Sequence, residues 1–374
     1  MKAVRSLFLV AAAATPLAAQ VENSHPIGTI GAQPTIVAPQ DPNLPQYRVQ
    51  AGDNRFNGVV RVIMNRQDGT FVCTGSLLNN TGGTGILGAA HCFTNGVGQN
   101  ITNSVTIEVR SAQTGSLLQS VTTAGSNISI KAGYTGAVVD QRDVAFIRLS
   151  SALTTAGSGY DIFSGGGIMG QTINLAGYGA TGNGITGANT GAQTWMRYGQ
   201  NRFDTSCLNG NTNAGNCAGV LAGNPSNNLN GFGGVLIGDF DDPSGGFNNN
   251  TSLTCFRHGI CETGVGGVPG EVNIGGGDSG SAAFLNSNNT ILGVASFGSR
   301  RVDVNPVPPF GAFGTAFGYA CVAAITGNAV CNENNTFVRG FLNPTVVIPE
   351  PSTYALMATG LVALGVIARR RRSA

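Results

Sequence analysis

The sequence predicts an all-β protein, on three observations. From Gly58 onward, short β-branched or alternating runs recur between Gly and Asn turns. Few segments have the Ala, Leu, Glu and Lys content that favours helices. The chain carries 57 glycines and only 10% charged residues, which suits a β-rich chain with a polar but uncharged surface.

The expected strands lie near residues 59–64, 70–78, 104–109, 127–131, 144–149, 172–176, 290–296 and 312–317. Each is five to nine residues long by this reading, within the usual range of ~3–10 for strands. Residues 200–262 break the pattern with dense Asn and Gly, four cysteines and the acidic turn Asp239-Phe240-Asp241-Asp242. They read as a loop-rich insertion. Residues 20–48, rich in Pro and Gln without periodicity, read as a propeptide or linker.

With 374 residues and 41% hydrophobic content, the chain can bury a core and is not disordered by composition. Its net charge of +2 arises in the tails, which hold six of the 20 basic residues. The body, residues 20–350, keeps 14 Lys and Arg against 18 Asp and Glu, a net −4. No basic patch stands out, so nucleic acid is not an expected partner.

Both ends read as targeting segments. Lys2 and Arg5 precede an apolar run and then Pro16-Leu17-Ala18-Ala19, the pattern of a secretory signal over residues 1–19. At the other end an apolar stretch, 354–368, precedes Arg369, Arg370, Arg371 and Arg372. It is short against the ~20 residues of a usual transmembrane helix, but snorkelling arginines extend it, and a transmembrane segment is expected there. Pro349-Glu350-Pro351, the apolar stretch and the basic cluster together resemble the PEP-CTERM sorting tail of Gram-negative bacteria, here residues 344–374. The resemblance implies recognition by an exosortase-type sorting enzyme, transient inner-membrane anchoring, and a final place in the periplasm, at the cell surface or in the extracellular matrix.

Eight cysteines in an exported chain favour disulfides. Proximity suggests Cys73–Cys92, Cys207–Cys217, Cys255–Cys261 and Cys321–Cys331, with the last three pairings left open. Asp239, Asp241 and Asp242 offer oxygens of the kind Ca²⁺ takes, but a solvated acidic turn is the simpler reading. Cys255, His258 and Cys261 could ligate Zn²⁺, although oxidising conditions favour the disulfide. Neither a metal nor a cofactor is expected.

Three local features carry chemistry. Gly88-Ala89-Ala90-His91-Cys92 places one of three histidines after an apolar strand and beside a cysteine. A lone histidine is more often structural, yet a general base needs the fixed placement that a Cys73–Cys92 bridge would supply. Asp143 opens the apolar run Val144–Leu149, where an aspartate is commonly a cap, or else a buried acceptor for an imidazole N–H. Gly276-Gly277-Asp278-Ser279-Gly280-Ser281 could be a mere turn, but a nucleophile at a tight turn needs such small neighbours.

Taken together, Ala89-Ala90-His91-Cys92, Asp143-Val144-Ala145 and Gly277-Asp278-Ser279-Gly280 resemble the histidine, aspartate and serine motifs of the trypsin/chymotrypsin-like serine protease family, in its order. Ala176-Gly177-Tyr178-Gly179 is similar to the turn opening the family's second barrel, and Ser296-Phe297-Gly298 to its substrate-pairing strand. The resemblance covers residues 49–343. It implies a double six-stranded antiparallel β-barrel with a catalytic cleft between the barrels, and a monomer acting on protein or peptide substrates. It further implies His91, Asp143 and Ser279 as catalytic residues, the N–H groups of Gly277 and Ser279 as oxyanion hole, and an acyl-enzyme. Substrate contacts would come from Asn273, Ser296, Phe297 and Gly298.

Two departures matter. The specificity position six before the serine is the neutral Asn273, and the cysteine expected four before it is Gly275, so a small or medium uncharged side chain is the expected preference. Arg48-Val49-Gln50-Ala51-Gly52 stands where the family begins its mature chain, so cleavage after Arg48 is expected to free Val49 to pair with Asp278. Two other readings stay open: a non-catalytic surface adhesin or matrix protein keeping the fold, and an esterase using the same triad.

Overall fold

The computed structural model describes residues 36–38, 47–137, 139–183, 187–188, 191–207, 233–240, 272–299 and 316–342. The expected signal peptide, most of the propeptide, the sorting tail, and Asp241, Asp242, Cys217, Cys255, His258 and Cys261 lie outside these residues.

Two antiparallel sheets form the body. The first contains β1 (Val59–Arg66), β2 (Gly69–Leu77), β3 (Gly85–Gly88), β4 (Thr102–Arg110), β5 (Leu117–Ala124), β6 (Ile128–Ile130) and β7 (Ala145–Arg148). Their order is β5-β4-β1-β2-β3-β7-β6. The two outermost strands, β5 and β6, are consecutive pieces of chain joined only by the 3₁₀ turn Gly125–Asn127. One bent run therefore pairs with β4 at one end and β7 at the other, and the sheet closes into a barrel of six runs. Closure removes the unpaired edges that would otherwise invite association.

The second sheet repeats the device. Its strands are β8 (Thr172–Gly177), β9 (Arg197–Arg202), β10 (Thr205–Cys207), β11 (Val235–Asp239), β12 (Ala282–Leu285), β13 (Ile291–Ser299) and β14 (Ala316–Cys321). The order β9-β8-β12-β13-β14-β11-β10 again ends on neighbours in the chain, β9 and β10, separated by Phe203 and Asp204. The expected double six-stranded barrel is thus present, with the seventh strand in each sheet produced by a bend.

Alternation explains the packing. In β4 the buried residues are Val105, Ile107 and Val109, with less buried residues between them. Their side chains fill the first barrel with Val62, Met64, Ile86 and Phe146. That core continues into the second barrel, where Phe284 stacks at a tilt on Tyr160 (4.5 Å between centroids) and Phe56 (5.9 Å). A second core gathers around Phe203, Phe317 and Tyr319.

Some boundaries differ from expectation. The last expected strand, 312–317, falls instead at Ala316–Cys321. Within the Asn/Gly-rich stretch, β10 and β11 belong to the barrel, because Val235, Leu236 and Ile237 are almost wholly buried. An unpredicted helix, α1 (Ala329–Arg339), follows β14. Its three asparagines and threonine are poor helix formers, so propensity hides it. Tertiary contacts hold it instead: Asn328 caps it by accepting from Cys331 N–H, and Cys331 is disulfide-bonded to Cys321. The expected transmembrane segment is not supported. Among the described residues no helix is long and apolar enough to cross a membrane, and fifteen apolar residues fall short of the ~20 that a span needs.

Gly125 makes the corner that closes the first barrel. A Cβ there would overlap the Thr102 carbonyl. Gly125→Ala should therefore lower the unfolding free energy by about 1–3 kcal/mol, read from urea denaturation. An unchanged midpoint would show that the corner tolerates a side chain.

Candidate active site

Strand pairing brings His91 and Asp143 together. β3 and β7 are antiparallel with Gly88 opposite Ala145. The chain leaving β3 reaches His91 three residues later, and the chain entering β7 leaves Asp143 two residues earlier. Both therefore lie at the same end of one strand pair.

His91 sits in the 3₁₀ turn Ala90–Cys92. Its Nδ1–H donates to Asp143 Oδ2 at 2.6 Å, and its backbone N–H donates to Oδ1 at 2.8 Å. Ser296 Oγ donates to the same Oδ2 at 2.5 Å. Asp143 is only 2% exposed, so these three donors replace its water. Because an ionised carboxylate can only accept, Nδ1 carries the proton and Nε2 is left free to accept one. Burial and the nearby Asp143 push the Tyr134 hydroxyl far above its usual range.

The histidine turn is held from outside by residues that sequence reading missed. Arg66 Nη1 donates to the carbonyls of His91 (3.2 Å) and Cys92 (3.1 Å), while Nη2 pairs with Asp68. The Cys73–Cys92 disulfide ties the turn to β2, as expected. On the aspartate side, Asp140 accepts from Thr135 and from Arg142 N–H, and Asn334 of α1 donates to the Gln141 carbonyl. No linear motif marks these supports, since each acts across 25 to 193 residues or through a local turn.

Ser279 precedes β12 in a turn with Gly277 at φ +103° and Gly280 at φ +84°. Both are conformations that side-chain-bearing residues rarely adopt. A Cβ on Gly280 would also run into the Thr74 carbonyl and stand 3.0 Å from Ala89 N, so this turn lies directly against the segment leading to His91. Thr74 N–H donates to the Ser279 carbonyl (2.9 Å), and Thr74 Oγ1 donates to the Gly277 carbonyl (2.9 Å) while accepting from Tyr178 N–H (3.0 Å). Cys92 Sγ lies 4.0 Å from His91 Nε2 and 3.8 Å from the Ser279 carbonyl. The structure thus brings Ser279 to the histidine across the disulfide, although no hydrogen bond joins Ser279 Oγ to Nε2. Such bonds are often long before substrate binds.

The other expected site residues are placed as follows. Ser296 lies at a bulge in the β13–β14 register, between Ala295 and Phe297. The bulge re-aims its side chain toward Asp143. Beyond Ala295, β13 pairs only with β14 among the described residues, leaving the other edge of Ser296-Phe297-Gly298 open. Phe297 is buried, so only its backbone faces that edge. Asn273 is buried: its Oδ1 accepts from Ile274 N–H at 2.7 Å, and its Nδ2 has no partner. Asp278 accepts from Gly179 N–H and Gly275 N–H, each at 2.8 Å, while Val49 is buried within the uncleaved chain. Cys73, His91 and Cys92 cluster as metal ligands do, but both sulfurs are spent in the disulfide. Cys207 is also disulfide-bonded.

Two family models match parts of the chain. Residues 45–172 match the family model described as the lysyl endopeptidase C-terminal domain, a span that includes His91 and Asp143. Residues 347–372 match the PEP-CTERM protein-sorting motif, so the segment 354–368 is part of a sorting signal and not a separate membrane span. No curated protein matches the chain. Similar solved structures include a thermostable serine protease, AL20, from an extremophilic microorganism, at 13% identity and TM-score 0.45, covering 76% of this chain and 98% of that one. HL collagenase is 19% identical with TM-score 0.44, over 74% and 92% of the two chains. The protease Anisep from Arthrobacter nicotinovorans is 12% identical with TM-score 0.45, over 76% and 96%. The chain resembles the trypsin-like serine proteases and has their fold, and it ends in a sorting signal of exported Gram-negative bacterial proteins.

Burial pushes the Asp278 carboxyl up from 3.8 to about 6, against the opposing pull of the Gly275 and Gly179 N–H groups. The folded chain therefore holds this proton over a pH range in which the unfolded chain has lost it. The contribution to stability is complete below pH 3.8 and is lost as pH rises through about 6. The loss should amount to about 3 kcal/mol. Urea denaturation from pH 4 to 7 should show this slope in the wild type and not in Asp278→Asn; parallel profiles would refute the assignment.

Proposed function

We propose that the protein is an exported serine endopeptidase that cleaves peptide bonds through His91, Asp143 and Ser279. The observation that carries the reading is the Asp143 carboxylate. It is buried and fixes His91 by two bonds, leaving Nε2 4.0 Å from Cys92 Sγ, which lies 3.8 Å from the Ser279 carbonyl. A lone structural histidine has no need of that arrangement.

In this reading Ser279 Oγ attacks the scissile carbonyl while His91 Nε2 takes its proton. The carbonyl oxygen becomes an oxyanion facing the N–H groups of Gly277 and Ser279. His91 gives the proton to the leaving amine, and an acyl-enzyme remains on Ser279. Water, deprotonated by His91, then attacks the ester, releases the carboxylic acid and restores Ser279. Asp143 holds the imidazole tautomer and stabilises its charged form. The open edge of Ser296-Phe297-Gly298 supports binding of substrate as an added strand.

The matched family is described as a lysyl endopeptidase, but the match ends at residue 172, before Asn273 and Ser279. A lysine preference is therefore not carried over. A neutral Asn273 supports small or medium uncharged side chains before the cleaved bond. Processing through the sorting signal by an exosortase would set the final location, at the periplasm or cell surface.

Fluorophosphonate labelling tests the reading. Wild type should label, and Ser279→Ala and His91→Ala should not. Asp143→Asn should lower kcat about 10⁴-fold with the fold intact. Correctly processed protein without Ser279-dependent labelling would instead point to an adhesin. Turnover of esters but of no peptide in a library would point to an esterase.

A second prediction concerns Ser296. Replacing it by Ala removes one donor from a buried carboxylate, and unfolding should become easier by about 1.5–3 kcal/mol. Thermal or urea denaturation reads this out, and no change would mean that water substitutes for the hydroxyl.

A further inference from the structure

Asp278 is 1% exposed and lies between Gly277 and Ser279, yet it makes no ion pair among the described residues. Both of its oxygens are already engaged, Oδ1 by Gly179 N–H and Oδ2 by Gly275 N–H. The space around them is filled by backbone. A Cβ on Gly179 would stand 2.6 Å from the Asp278 Cγ, and one on Gly177 would overlap Oδ1. An arriving ammonium group would have to displace one of these turns.

The rest of the serine turn is set by the same neighbours. The Gly276 carbonyl accepts from Ala180 N–H at 2.7 Å. In a trans peptide the carbonyl and the following N–H point opposite ways, so Gly277 N–H faces away from Ala180. Thr74 holds the carbonyls of Gly277 and Ser279. The N–H groups of Gly277 and Ser279 make no hydrogen bond within the described residues, so two donors stand free beside Ser279. Meanwhile residues 47–50 are continuous chain: Arg48 is exposed, bridges to Arg197 and lies over Trp195, while Val49 is buried.

We propose that Gly179 and Gly275 do for Asp278 what a freed N-terminal amine would do, so that the oxyanion turn is assembled in the uncleaved chain and Val49 need not be released. The inference rests on the serine endopeptidase reading and adds positioning roles for Gly179, Gly275 and Asp278. Control of activity then falls on export and sorting, and not on a cut after Arg48.

The test compares wild type with Arg48→Gln, both as full chains exported through their own signal, with the N-terminus fixed by intact mass. The rate of labelling by a fluorophosphonate is measured for each. The expected result is that Arg48→Gln, with no Val49 terminus present, labels within about threefold of wild type. Asp278→Asn should lower that rate by the same factor in both backgrounds. If Arg48→Gln labels at least about 100-fold more slowly than wild type bearing a Val49 terminus, the inference fails and the endopeptidase reading stands. An Asp278→Asn loss confined to chains beginning at Val49 would likewise overturn it. Failure of both proteins to label at Ser279 would remove the endopeptidase reading, and this inference with it.

Discussion

Thr74 joins the two barrels at the point where the candidate site lies. It belongs to β2 of the first barrel, yet its backbone N–H and hydroxyl bond to Ser279 and Gly277, and its hydroxyl also takes the N–H of Tyr178. All of these groups are buried. Polar groups in such surroundings are costly unless every partner is in place, so the joint tolerates one arrangement of the barrels and disfavours others. The position of Ser279 relative to His91 follows from that constraint, because the histidine turn is fixed to β2 by the Cys73–Cys92 disulfide.

A second consequence concerns glycine. Gly177, Gly179 and Gly280 stand where a Cβ would meet Asp278 or the backbone of the first barrel. The close approach of the two barrels at the serine turn thus depends on missing side chains as much as on bonds. The abundance of glycine in the composition has here a local use, bringing backbone donors against a buried carboxylate and leaving the N–H groups of Gly277 and Ser279 open.

Charge is used sparingly and is concentrated where geometry needs it. Arg66 turns its guanidinium to the carbonyls of the histidine turn and balances its charge with Asp68. In the first barrel, burial would raise the Glu108 carboxyl, but Arg110 and Arg61 hold it below its ordinary value. The site itself contains one half-buried histidine and two buried carboxylates with different surroundings. Asp143 has donors from a side chain, an imidazole and the backbone, whereas Asp278 has backbone N–H groups alone.

The sequence by itself determined the strand-rich class, the three motifs in order, the first disulfide and the sorting signal. These are legible because alternation, glycine turns and short motifs are local properties. It also suggested a membrane span, which no helix among the described residues supplies, and a Val49–Asp278 pair that depends on cleavage after Arg48. Only the tertiary structure decided that two bent strands close the barrels, that Val235–Ile237 is a buried strand inside a polar stretch, and that Asn334 and Ser296 support Asp143. The physical reason is distance along the chain: a hydrogen bond across 153 or 193 residues leaves no mark on the residues next to it. Whether the carboxylate of Asp278 meets an amine or two backbone amides depends on how closely Gly179 approaches, and that is a matter of packing.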